Sequence, residues 1–266
     1  QEATDSLGSF ANGLTMGLAS MLMSPKFLFI TEIVEVNPRD RDAYRLNTYS
    51  IASRLSLLLW NTTPDDALLT AAENGELHTD EGLEANVERM IASPRFKTGV
   101  EAFFSDMLEF SEFDFLEKDS VIYPAFGVAA VRDAEEQTLR TIVDHVINLE
   151  ADYRDLFITR KTFINRTLGL VYRVQVEAPR GTWQPYEFAP DDPRVGIQTH
   201  VGFLSLNSHP GRSSATLRGS AIREMLLCQK VPDPPPDVDF SGFNDPDSPA
   251  KTARERLDAH STNAAC

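Results

Sequence analysis

The chain has 266 residues, a formal net charge of −15, 42% apolar residues and 24% charged ones. That length allows one large or two modest domains with a substantial buried core, and the composition is ordinary for a globular chain. The acidity argues against a nucleic-acid binder, which needs a basic face to meet phosphate, and disfavours docking on an anionic membrane surface.

The first apolar run, Gly13 to Met23, is short of the roughly 18–20 residues that span a bilayer. It also lacks the basic leader and small-residue cleavage site of a secretory signal. Phe10, Leu14, Leu18, Met21 and Leu22 fall near one face of a helix. Ser24-Pro25 closes that helix and opens the next, serine as N-cap and proline at the first helical position. The same device recurs at Ser93-Pro94.

In "YRLNTYSIASRLSLLLW" the spacing puts Ile51, Leu55, Leu58 and Leu59 on one face ending at Trp60. Thr63 then reads as the next cap, with Pro64 leading and Asp65 and Asp66 at the positive end of the helix dipole. Further helices are predicted over 81–92 and 96–110. The longest covers 127–151, with Leu139, Ile142, Val143, Val146 and Ile147 as its buried stripe. Arg132, Glu136, Arg140 and Asp144 form an alternating i,i+4 ladder on its other face.

Past Tyr172 the texture changes. Residues 173–200 are rich in proline and glycine and have no helical period, which marks a domain boundary. A shorter helical pair follows at 199–207 and 216–229, separated by "SHPGRSSA". "VPDPPPDVDFSGFNDPDSPA", residues 231–250, is an acidic, proline-rich linker: a spacer, or an extended segment for a partner groove. No alternation longer than about four residues supports a strand. The expected fold is mainly α.

No motif fixes a reaction. There is no phosphate loop, dinucleotide fingerprint, His-Glu-x-x-His or Gly-x-Ser-x-Gly. A di-iron bundle needs Glu-x-x-His on two helices, which Glu135, Glu136, Asp144 and His145 do not provide. The five histidines are scattered: His78 reads as an exposed residue at the 74–77 turn, and His145 as a structural residue on a helix flank. Asn61 and Asn165 each begin a glycosylation sequon, a pattern common by chance.

Cys228 and Cys266 form no disulfide framework, although a single bridge between them stays open. The densest polar cluster is "LSLNSHPGRSSATLRGSAIREML", which sets His209, Arg212 and Arg218 beside a run of hydroxyls at a helix start. Two readings fit it: an anion site, or a capped helix-loop-helix whose arginines pair with surplus acids.

Three stretches resemble known families. "GLTMGLASMLMSPKFLF" resembles the fifth planctomycete-specific domain, and "YRLNTYSIASRLSLLLWNTTPDDALLTAAENGEL" the start of the fourth. "RVGIQTHVGFLSLNSHPGRSSATLRGSAIREMLLCQKVPDPPPDV" is similar to the third planctomycete cytochrome-C-like domain. The resemblance implies a helical segment over 1–45, a multi-helix domain over 46–175 and an incomplete, loop-rich cytochrome-c-like domain over 176–266.

It also implies a cofactor. "TARERLDAHSTNAAC" matches that domain's pattern up to a cysteine, which the family continues with x-x-Cys-His. Cys266 is then the first thioether cysteine of a c-type haem, with the second cysteine and proximal histidine supplied by the full-length parent. This chain alone is expected to hold no haem. His209 becomes a distal ligand on this reading, and Arg212 or Arg218 a partner for the propionates.

The compartment implied is periplasmic or extracellular, where haem is attached, and the partners are other subunits or redox proteins. The competing expectation is a non-catalytic assembly module of an envelope complex. Whether the protein is an enzyme is left open.

Overall fold

The structure, a computed structural model, describes residues 8–232 and 249–261. It is mainly helical, as the sequence implies, and divides into two compact units, Gln1–Val100 and Glu101–Cys266.

The first unit begins with α1 (Phe10–Leu22) and α2 (Pro25–Leu28), with Ser24 at the N-cap and Pro25 at the first helical position as expected. The apolar face of α1 is uncovered: Phe10 is 73% and Met21 69% exposed. A hairpin follows that the sequence reading missed, β1 (Val34–Asn37) paired antiparallel with β2 (Asp40–Leu46). Val34 and Val36 alternate with Glu35 and Asn37, but over only four residues, too short a pattern to separate from coil. The register sets Val36 opposite Tyr44 and Glu35 opposite Arg45, whose side chains pair at 2.7 Å.

Next come α3 (Thr48–Trp60), α4 (Asp66–Glu73), a 3-10 turn (Glu76–His78), α5 (Asp80–Ile91) and α6 (Phe96–Met107). The buried face of α3 is Ala52, Ser56 and Trp60, while Leu58 is 63% exposed. The small residues let α3 approach Leu68, Ala71, Leu77 and Met90 closely, with Ile51, Leu55 and Leu59 half-buried along its flank. Trp60 is fixed by its indole N–H, which donates to Met90 O at 2.9 Å. At Gly99 a Cβ would lie 2.1 Å from Leu59 O, so only glycine allows that approach.

Two further expectations are corrected here. Asp65, not Thr63, caps α4: its carboxylate accepts from Leu68 N at 2.9 Å and receives both outer nitrogens of Arg89 at 2.8 and 3.2 Å. An ionised oxygen adjoining the first helical residue both satisfies an orphan N–H and meets the dipole. The Arg89 guanidinium holds the Asp65 carboxyl below the usual carboxylate range. His78 is half-buried rather than exposed, because its Nε2 bonds Leu46 O at 2.9 Å.

In the second unit a 3-10 turn (Phe110–Phe115) leads to α7 (Val128–Val143), which continues as a π turn (Asp144–Asn148). Then follow a 3-10 turn (Tyr153–Phe157), β3 (Lys161–Ile164), α8 (Arg166–Tyr172), β4 (Gln184–Glu187) paired antiparallel with β3, and a 3-10 turn (Ile197–Thr199). The unit ends with α9 (Val201–Leu206), the two-residue strands β5 (Ser208–His209) and β6 (Arg212–Ser213), α10 (Ala215–Ala221), a π turn (Ile222–Leu226) and α11 (Ala253–Ser261). Most of the linker at 231–250 lies outside the described residues.

Of the stripe expected on α7, Leu139, Ile142 and Val143 are buried; Val146 and Ile147 are half-buried because the helix widens at Asp144. The helix also buries a polar row. Val201 N donates to the Tyr172 hydroxyl (2.7 Å), which donates to Gln137 Oε1 (2.7 Å), and Gln137 Nε2 donates to Thr162 Oγ1 (3.2 Å). Thr141 gives its proton to Gln137 O, so the 2.9 Å contact between the two threonine hydroxyls is donated by Thr162. This chain joins α7, β3, α8 and α9. An apolar cluster of Ile164, Leu168, Tyr172 and Phe188 packs beside it.

Removing the Tyr172 hydroxyl leaves Gln137 Oε1 and Val201 N without partners. Tyr172→Phe is therefore expected to destabilise the protein by about 2–4 kcal/mol in urea unfolding, against little change for Tyr186→Phe. Asp65→Ala removes a cap together with an ion pair and is expected to cost about 1–2 kcal/mol in the same measurement.

Candidate functional site

The structure brings two of the expected site residues together. In the β5–β6 hairpin, where the sequence suggested a plain loop, His209 and Arg212 are register partners across the Pro210-Gly211 turn. Arg218 lies further on, in α10, whose N-cap Ser214 accepts from Leu217 N at 3.2 Å. All three side chains are half-buried.

The hairpin is held by a residue that sequence reasoning passed over. Lys118 Nζ donates to Ser208 O (2.8 Å), Ser208 Oγ (3.0 Å) and His209 O (3.1 Å). All three ammonium protons have acceptors, and burial lowers the lysine pKa. Asp119 N adds a bond to Pro210 O at 3.0 Å. Nothing in the pattern around Lys118 signals a partner 90 residues away.

His209, Arg212 and Arg218 do not line the cleft between α7 and α8. No cluster of three His, Cys, Asp or Glu side chains suited to a metal ion occurs among the described residues. Cys266 and the segment 262–266 lie outside the described residues, and Cys228 is exposed.

A cleft of about 1000 Å³ is formed by α7, α8 and the chain from 174 to 183. Asn165 builds its floor. This side chain caps α8, accepting from Leu168 N at 3.0 Å, and donates to Asp133 Oδ2 at 2.7 Å. Both ends of the amide are thus engaged, and the Asp133 carboxylate is fixed with only 11% of its side chain exposed. Its other oxygen lies 3.7 Å from Arg132 Nε.

Gly169 shapes one wall. A Cβ there would meet Val176 Cγ2 at 2.6 Å and Val174 O at 3.1 Å, so the returning chain can press on α8 only over a glycine. Trp183 also lines the cleft, with the Arg140 guanidinium 5.3 Å from its ring centroid. Arg166 Nε donates to Ala178 O at 2.7 Å, and Arg180 lies exposed at the edge.

This geometry revises the expected ladder on α7. Glu136 and Arg140 do pair, at 2.5 Å. Arg132, however, turns to Asp133, and Asp144 accepts from Asn148 Nδ2 at 2.9 Å. The sequence offered no signal for the Asp133–Asn165 contact except that both are polar residues at helix positions. Asn165 of the second sequon is buried and fully engaged.

A second cavity of about 370 Å³ is lined by Asp144, His145, Lys161, Tyr186 and Glu187 among others. His145 there bonds Asp152 O through Nε2 at 2.8 Å, in keeping with the structural role expected for it. His200, which carried no assignment, is fully buried with Nδ1 3.1 Å from Thr138 Oγ1, and burial pushes its pKa down to about 4.

The fold and its clefts define a mainly helical protein. Comparison with family models places it further. Residues 46–174 match PSD4, protein of unknown function (DUF1592), and residues 194–266 match PSCyt3, protein of unknown function (DUF1588). Both are planctomycete-type domains of unknown function, and the chain is similar to them over those two segments. No curated protein and no solved structure matched. No helix among the described residues is long and apolar enough to cross a membrane.

The buried His200 gives a pH dependence with a definite sign. The folded pKa lies below the unfolded value, so the unfolded chain binds the proton first and stability falls as pH drops from about 6.5 towards about 4. The expected loss across that window is about 3 kcal/mol. His200→Gln is expected to flatten this part of the stability–pH curve, as read by urea midpoints at pH 4.5, 5.5 and 7.

Proposed function

We propose that this chain is part of an envelope or exported cytochrome-associated protein that acts in electron transfer or another redox step. The observation that carries the reading is the match of residues 194–266 to the PSCyt3 family. The c-type haem is placed at Cys266 together with parent residues beyond it, on the likeness of "TARERLDAHSTNAAC" to the family's pattern. Covalent haem attachment sets the compartment as periplasmic or extracellular. The helical residues 46–174 then serve as scaffold and as a surface for redox partners.

A second reading is favoured by one specific observation. Phe10, Leu14, Met21, Phe27, Phe29 and Ile30 are all more than half exposed, an apolar display suited to docking other subunits. On that reading the protein is a colourless assembly module of an envelope complex.

The two readings separate in one experiment. The full-length parent is expressed in a periplasm equipped for haem maturation and examined for a Soret band and for haem staining after denaturing electrophoresis. Covalent haem that disappears in Cys266→Ser is the expected result. A folded, colourless parent that still co-purifies with partners overturns the redox reading in favour of assembly.

A further inference from the structure

We propose that the cleft between α7, α8 and residues 174–183 binds an acidic saccharide, a sugar unit that carries a carboxylate. The proposal rests on how its lining chemistry is distributed. Asp133 and Asn165 sit on the floor, fixed to each other at 2.7 Å, with Thr167 beside them. A buried carboxylate whose second oxygen has no hydrogen bond among the described residues can accept from a ligand hydroxyl, and Thr167 offers a neighbouring hydroxyl of its own.

Arg132, Arg166 and Arg180 also line the cleft, against the carboxylates of Asp133 and Glu136. The cleft therefore has one positive charge in excess, on a chain whose net charge is −15. That balance suits a monoanion. A dianionic phosphate would have to settle beside two carboxylates, which weighs against a nucleotide.

Trp183 completes the site. Its indole lines the cleft, steadied by the cluster around Leu168 and Tyr172 and by the Arg140 guanidinium over its ring, so the apolar ring surface left on the cleft side can meet the C–H face of a sugar ring. The exposed Leu170 extends the apolar rim. The ligand class that uses all three features at once has vicinal hydroxyls, one carboxylate and a flat C–H face. The cleft volume of about 1000 Å³ accommodates more than one ring. These residues lie outside the segment matched by PSCyt3, so the proposal stands independently of the haem reading.

The test is titration calorimetry on the 266-residue chain, with tryptophan fluorescence read alongside. The other tryptophan, Trp60, is buried at 2% exposure, so a ligand-dependent change reports Trp183. The probes are aldotriouronic acid (a trisaccharide with a single glucuronate carboxylate), the neutral trisaccharide maltotriose, AMP and acetate. The expected result is saturable binding of aldotriouronic acid with a shift in emission, at least tenfold tighter than maltotriose or AMP and not displaced by equimolar acetate.

Arg180→Ala, at an exposed edge position, is expected to weaken aldotriouronic acid at least tenfold with an unchanged thermal midpoint. Trp183→Phe, which keeps an aromatic ring against the core, is expected to retain binding but lose the emission signal. Absence of binding, equal affinity for maltotriose, tighter binding of AMP, or displacement by acetate each overturns the proposal. So does an Arg180→Ala variant that binds as the parent does.

Discussion

The second unit depends on one buried hydroxyl. Tyr172 is the last residue of α8, and its oxygen both accepts from the backbone at the start of α9 and donates to Gln137 in the middle of α7. A buried helix start carries N–H groups that must find partners. His200, the N-cap of α9, forms no side-chain cap, so the Val201 N–H is satisfied by Tyr172 instead. The packing of α9 on α7 and the position of α8 are thereby fixed by the same side chain. Thr162 and Thr141 extend the constraint to β3, and each hydroxyl proton in the chain of bonds has a single acceptor.

The cleft inherits its order from that network. α8 carries Tyr172 at one end and the Asn165 cap at the other, and α7 carries Gln137 one turn beyond Asp133. With α8 pinned at its C-terminal end by Tyr172, the Asn165–Asp133 contact at its N-terminal end has a fixed span. The two carboxylates of the cleft accordingly differ. Asp133 is immobilised in the floor, whereas Glu136 pairs with Arg140, and both members of that pair are 44% exposed. The arginine in turn covers Trp183, so the aromatic wall and the acidic floor are coupled through α7 as well as through α8.

Helix existence was legible in the sequence because it follows from local chemistry: Ser24-Pro25 and the apolar period of α7 act within a turn or two, whereas the starts expected at Thr63 and at Ser93-Pro94 lie further on, at the Asp65 cap and at Phe96. Faces were legible less well. Leu58 was read as buried because leucine is apolar, yet α3 buries Ala52 and Ser56, since close helix approach selects for small volume rather than for hydrophobicity. The hairpins at 34–46 and 208–213 escaped because their strands run for seven residues or fewer. The polar network escaped for a different reason. Gln137, Thr138 and Thr141 look like surface residues until partners at 162, 172 and 200 are supplied by folding. Of the site residues, the pairing of His209 with Arg212 was near enough in sequence to be suspected; the Lys118 clamp on the same hairpin was not.

That clamp bears on how the 208–213 hairpin can work. A two-residue ladder has too few hydrogen bonds to hold itself in water. Lys118 adds three donors to its backbone and serine, and Asp119 a fourth through its amide. The carbonyls of Ser208, His209 and Pro210 are consequently all occupied, so whatever chemistry the hairpin performs must come from its side chains. His209 and Arg212 emerge side by side from a backbone held in register by the lysine. Such rigidity comes from a cation whose three ammonium protons all have acceptors within the hairpin, so the register of His209 against Arg212 is set by a residue that lies outside the hairpin itself.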